Sequence, residues 1–164
     1  MAKVQIVGLA DPATYPVAPT MFTQIALVDT LVASELKPPI EQLITVFIDV
    51  SIDSVRIVQT PIGTSLGGQI LLGAKAVIEG TVNQKMTYVA AAPDQPVHAF
   101  EGTIPFSTFI VVPPTVGGIP IVDLLGAIKV TPFIEDVFVN VTSPRSVFKN
   151  VILFLNLTIA TPLP

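Results

Sequence analysis

Apolar residues recur at every second position through most of this chain, and a two-residue period buries one face only if the segment is extended. From Val46 the even positions read Val46, Ile48, Val50 and Ile52, while Phe47, Asp49, Ser51 and Asp53 fill the odd ones. That is a strand with one buried face. After Ser54 the apolar parity switches to Val55 and Ile57, which predicts a bulge or bend near Asp53 and Ser54.

The same period organises a hairpin further on. Val82, Met86 and Tyr88 share one parity against Thr81, Asn83, Lys85 and Thr87. Across the turn "AAAPDQP", Phe100, Ile104 and Phe106 share theirs against Ala99, Glu101 and Thr103. These six apolar residues are the expected hairpin core. Further strands are predicted at 22–33, 69–79, 128–141 and 147–159, the last two joined by the turn "TSPRS". In the final strand Val151, Leu153, Leu155 and Leu157 share a parity and Ile152 and Phe154 take the other, so both faces are expected to be buried, in the core or at an interface.

Sixteen prolines and ten glycines punctuate these runs. The spacing predicts an all-β fold, an antiparallel, jelly-roll-like β-sandwich. Only "PPIEQLI" at 38–44 reads as a helical turn, with Pro near its start and Glu41 in the first turn, and a short helix is expected at 122–125.

The first twenty residues differ. "KVQIVGL" is one short strand, tethered by "ADPATYPVAPT", whose Pro12, Pro16 and Pro19 favour an extended spacer. Ordering such a strand costs roughly 7 to 14 kcal/mol of backbone entropy. Burying Val4, Ile6, Val7 and Leu9 returns roughly 6 to 12 kcal/mol. The arm is therefore expected to order only when it finds a groove or sheet edge, with Lys3, Val4, Gln5, Ile6, Val7 and Leu9 as its contact residues. The expected organisation is an arm and spacer at 1–20 and one sandwich domain at 21–164.

Composition narrows the function classes. Hydrophobic residues are 51% of the chain and charged ones 12%, about half the usual charged share. A surface this poor in charge is expected to be covered in part by a partner, and self-association is the first inference. No window offers 18 uninterrupted apolar residues, so no membrane span is expected. The N-terminus lacks the pattern of a signal peptide, which leaves the two Asn-x-Ser/Thr matches at Asn140 and Asn156 uninformative. A net charge of −4, with only eight scattered basic residues, argues against nucleic acid. The absence of cysteine removes disulfides and thiolate chemistry.

Candidate chemical sites each have a plainer alternative. His98, the sole histidine, lacks a nucleophile elbow and reads as a structural residue near a hairpin end; a hydrolase pairing it with Ser107 is the remote alternative. Asp49 and Asp53 flank Ser51 on one strand face, where Asp29 is a possible third member of an ion site; a solvated face is the better reading. "GTSLGGQ" at 63–69 lacks the Gly-Lys-Ser/Thr ending of a phosphate loop and reads as a connection. Glu79 and Glu101 on the wet face of the hairpin suit solvated pairing with Lys85 better than glycoside chemistry. No catalytic residue, cofactor or metal ligand is assigned.

Several segments in order, "KPPIEQLITVFIDV", "VRIVQTPIGTS", "GQILLGAKAVIEGTVNQKMTYVA" and "QPVHAFEGTIPFSTFIVVP", resemble the SPOCS domain of spore-forming Firmicutes over residues 20 to 112. The shared set is Lys37-Pro38, Ile40-Glu41-Gln42, Gly80, Tyr88-Val89, Gln95-Pro96-Val97-His98 and Pro105-Phe106-Ser107. The domain occurs in spore-coat and spore-envelope proteins, one of which carries it beside a LysM module. The resemblance implies sporulation, a non-enzymatic role and protein partners. With no LysM-like segment and an arm in front, the chain is expected to be a building block rather than an adaptor.

The expectation is thus a non-enzymatic protein made in the mother cell without a signal peptide and assembling on the spore surface. Its partners would be copies of itself, by donation of the arm strand into a fibre, appendage or coat layer, and possible further coat or exosporium proteins. The alternative is a coat-assembly module that docks on another coat protein without polymerising.

Overall fold

The computed structural model describes residues 3–160. Residues 1, 2 and 161–164, at the ends of the arm and of the sandwich expected above, lie outside the described residues. Two sheets face each other. The larger has the order β1-β3-β4-β5, from Gln5–Val7, Ile40–Thr64, Ile70–Ala90 and Val97–Val112. The smaller has the order β2-β9-β8, from Phe22–Val32, Ser146–Ile159 and Ile128–Ser143. Between β5 and β8 lie a two-residue-strand hairpin, β6 (Thr115–Val116) and β7 (Ile119–Pro120), and a 3-10 helix, Ile121–Ala127. The fold is an all-β sandwich, as the two-residue period demands.

The central strand shows why. Along β4 every even position from Ala74 to Ala90 is buried, and each odd one faces outward. Val82, Met86 and Tyr88 are fully buried there, and Phe100 and Phe106 meet Met86 and Gly80 from β5. Ile104 pairs with Val82 and packs at the core margin. From the smaller sheet Val151, Leu153, Leu155 and Leu157 close the core. Each such aliphatic side chain contributes about 1.5 to 3 kcal/mol by burial. On the other parity of β9, Phe154 is buried by other aromatic rings and Ile152 is half-buried.

The expected helical turn at 38–44 is instead the start of β3, and the reason is local. Register shifts fall between Ile40 and Gln42 and between Leu43 and Thr45. Each bulge adds a residue to the strand, so the buried positions become Ile40, Leu43 and Val46. That three-residue spacing imitates a helix. A third shift falls between Ile52 and Ser54, where the parity change predicts it. The strand then continues to Thr64 and, with β4, forms a hairpin closed by 65–69. In that turn Gln69 N donates to Ser65 Oγ at 2.9 Å, and Gly68 takes a φ of +89°.

Besides the arm's own passage from β1 to β2, two crossings join the sheets. After β2 the loop at 33–39 is clamped by Arg145 from the β8–β9 turn, whose Nη1 donates to the carbonyl oxygens of Ser34 at 2.8 Å and Lys37 at 2.7 Å. The second crossing carries the 3-10 helix, which buries Ile121 and Leu124. It contains the short helix expected at 122–125.

Candidate functional site

The arm lies on the chain's own body. β1 runs parallel to β3, with Gln5, Ile6 and Val7 opposite Thr45, Val46 and Phe47. Val4 and Ile6 pack against the core margin, whereas Lys3, Gln5, Val7 and Leu9 stay exposed. Only half of the expected apolar contact is therefore made. The reason is the pleat: a strand added at an edge turns alternate side chains away from the core.

Gly8 makes this seat possible. Its φ is +122°, and a Cβ there would lie 1.9 Å from the carbonyl oxygen of Ile48. Two residues on, Ala10 N donates to Ile134 O on β8 at 2.9 Å, so the arm bridges the seam between the two sheets.

The spacer is not fully extended. Asp11 Oδ1 accepts from Ala13 N at 3.0 Å and caps a 3-10 turn, Pro12–Thr14. Tyr15 then packs on Phe133 and Phe154 on the outer face of the smaller sheet, with ring centroids 5.3 and 6.1 Å away. Aromatic contact outweighs the extended preference of the three prolines. The chain crosses that outer face and enters β2 where Leu157 N donates to Met21 O at 2.8 Å.

The chemical candidates are dispersed. His98 pairs with Tyr88 across β4 and β5, their rings 5.9 Å apart at 29°. Ser107 lies nine residues along the same strand on the opposite face, about 30 Å away. Asp53 Oδ2 accepts from Thr81 Oγ1 at 2.7 Å, and Asn83 Nδ2 donates to Ser51 Oγ at 3.0 Å, all on the wet face of the larger sheet. Asp29 does not join Asp49 and Asp53, because its parity on β2 turns it inward to Lys149. Among the described residues no group of three His, Cys, Asp or Glu side chains is placed to hold a metal ion.

Glu101 sits directly opposite Lys85, as expected. Glu79 is instead opposite Ser54 and Ser107; its carboxylate accepts from Ser54 Oγ at 3.1 Å and meets Arg56 at 3.0 Å. The two glutamates are therefore not a cross-strand pair. A shallow hollow of about 430 Å³ beside Lys85 is lined by Phe47, Asp49, Asn83, Glu101 and Thr103. It offers one cation between two carboxylates, the chemistry of a solvated strand face.

What the outer surface does present is pairing edge and apolar area. β1 covers only three residues of the 25-residue β3, so among the described residues the outer edge of β3 beyond that point carries no further strand, and β5 is the edge on the far side. The far end of the β3–β4 hairpin exposes Ile62, 78% accessible, Leu66, fully accessible, and Ile70. Val28 and Val32 on β2 and Phe138 on β8 are exposed as well. The hairpin tip escaped sequence reading, although Leu66 lies in the segment at 63–69 read as a connection and Ile62 immediately precedes it.

A family model for the SipL, SPOCS domain matches residues 39–142. The chain belongs to this family. The SPOCS family is sporulation-related, and the matched span covers well over half of the chain. It begins later than the resemblance read from the sequence and runs further, from the start of β3 through β5 and the second crossing into β8. Within the sandwich, the SPOCS span thus supplies three strands of the larger sheet and β8, while β1, β2 and β9 lie outside it. No curated protein and no solved structure gives a significant match. Among the described residues no helix is long and apolar enough to cross a membrane.

Proposed function

We propose that this SPOCS chain is a non-enzymatic structural subunit that assembles with copies of itself on the endospore surface, as a fibre, appendage or coat layer. The observation that carries the reading is the arm's seat. Three ladder residues contribute about 1 kcal/mol net each through hydrogen bonds, against about 1 to 2 kcal/mol each for ordering their backbone. The remainder comes from two half-buried side chains and the Ala10–Ile134 hydrogen bond, so the arm is held by a few kcal/mol at most.

An element bound that weakly exchanges readily between identical copies. The edge of β3 and the carbonyl of Ile134 form the same receptor for the chain's own arm or a neighbour's. In the exchanged form each subunit donates its strand to the next, a heterologous contact that propagates instead of closing. The exposed hairpin tip and the low charge support burial of further surface between copies.

A second reading, a coat-assembly module that docks on another spore protein without polymerising, is favoured by the arm's lying on its own β3. Negative-stain electron microscopy of the full chain beside a version lacking residues 1–20 separates the two. Filaments from the full chain and discrete particles from the truncation support the strand-exchanging subunit. Discrete particles from both favour the docking module, and filaments from both remove the arm from the mechanism.

A further inference from the structure

Three polar side chains meet between the sheets. Asp29 on β2 and Lys149 on β9 are direct cross-strand partners that both point inward. Gln84 reaches them from β4 in the facing sheet. One oxygen, Asp29 Oδ2, accepts from Lys149 Nζ at 3.4 Å and from Gln84 Nε2 at 3.3 Å. The approach is close because Gly102, paired with Gln84, has no side chain: a Cβ there would lie 2.4 Å from Leu31 Cδ1. Leu31 shares the inward face of β2 with Asp29.

As an ion pair the arrangement is poor. Lys149 is fully buried, yet its ammonium, with three donors, makes one long contact. Gln84 Oε1, also buried, has no hydrogen-bond partner among the described residues. Such under-satisfied groups are costly in a core. Burial pushes the Lys149 amine below its ordinary range, and the Asp29 charge and hydrogen bond only partly oppose it. That direction favours the neutral, nucleophilic form of the amine more than exposure to water would. Across the shared Asp29 oxygen stands a primary amide, the carboxylate touching both nitrogens.

We propose that Lys149 and Gln84 join in an intramolecular isopeptide bond, with Asp29 carrying the protons. Lys149 Nζ attacks Gln84 Cδ. In the tetrahedral adduct the Asp29 carboxylate takes a proton from Nζ and delivers it to Nε2. The Cδ–Nε2 bond breaks, ammonia leaves, and the Cδ–Nζ amide remains. One amine and one primary amide become one secondary amide and one ammonia, with no oxidant or cofactor. The acyl group comes from Gln84 rather than Asp29 because an ionised carboxylate is a poor acyl donor. Asp29 is 32% accessible, which gives the ammonia and the exchanging proton a route to water. The product ties β9 to β4 across the sandwich, a covalent brace in a chain that contains no cysteine.

Intact-mass spectrometry of the purified full chain, denatured before injection, tests this. The expected mass is lower than that of the sequence by one ammonia. Digestion is expected to yield a branched peptide joining the segments that contain Gln84 and Lys149. Lys149→Arg, Gln84→Glu and Asp29→Ala chains are expected at their full masses, with circular dichroism reporting whether each retains its strands. The wild-type result does not depend on how those variants fold. A wild-type chain at full mass overturns the proposal. So does an ammonia loss confined to one peptide, or a water loss that links Lys149 to Asp29; ammonia loss persisting in Asp29→Ala removes Asp29 from the step.

Discussion

The Tyr88 hydroxyl donates to the carbonyl oxygen of Pro38 at 2.8 Å and so ties the central strand to the loop that crosses between the sheets. Tyr88 is fully buried, and burial raises its pKa above the ordinary 10.0, the Arg145 charge lowering it only in part. The folded chain therefore holds this proton where the unfolded chain has begun to lose it. Stability from this group is complete below pH 10 and is lost as pH rises from there through the folded value. Tyr88→Phe leaves the Pro38 carbonyl unpaired and is expected to cost about 1 to 2 kcal/mol at neutral pH. Urea denaturation at neutral and strongly alkaline pH checks both points: the variant's midpoint should fall less between the two conditions than that of the wild type.

His98 stacks on that same tyrosine from β5. A cross-strand aromatic pair of this kind is worth about 0.2 to 1 kcal/mol. His98→Ala is accordingly expected to lower stability by that amount and to leave assembly, followed by light scattering, unchanged. Loss of assembly with unchanged stability would assign the imidazole a direct role and contradict the structural reading.

Much of the sandwich was legible in the sequence because β4 keeps a strict alternation from Ala74 to Ala90, while β8 alternates on either side of a bulge and β9 is apolar on both faces. Asp29 and Lys149 were legible in principle: each is a lone charge at an inward position of its strand, among Ile25, Leu27 and Leu31 in one case and Val147, Val151 and Leu153 in the other. Opposite charges at buried positions of two strands point to a pair, but only the register brings them together. The start of β3 was illegible because its bulges replace the two-residue period with three. The arm's seat was illegible for a different reason. A three-residue parallel contact depends on a glycine approaching Ile48 and on a carbonyl of β8, and neither leaves a periodic trace.

The exposed hairpin tip separates stability from association. Ile62 and Leu66 make little contact with the body, so Ile62→Lys with Leu66→Lys is expected to change folding stability by no more than about 0.5 kcal/mol per site. If copies bury the tip against one another, each lysine places a charge in that contact. The expected outcome by light scattering is a shift of the concentration needed for assembly of tenfold or more, equivalent to about 1.4 kcal/mol. Assembly at the wild-type concentration would leave the tip solvent-facing in the polymer.

Gly8 offers the sharpest control of the arm, because its substitution disturbs the seat and leaves the sandwich intact. Any Cβ at this position collides with the Ile48 carbonyl, and the φ of +122° strains an L residue further. Gly8→Val should therefore release Gln5–Val7 from β3 while Phe22–Ile159 keeps its pairing. Hydrogen exchange is expected to show lost protection at Gln5, Ile6 and Val7 and unchanged protection along β4 and β9. Because a neighbour's arm would meet the same carbonyl, the variant should also fail to form filaments, as is expected of the truncation. Filaments of Gly8→Val with an unprotected arm would mean that subunits join through other surfaces, and the hairpin tip would then be the contact to pursue.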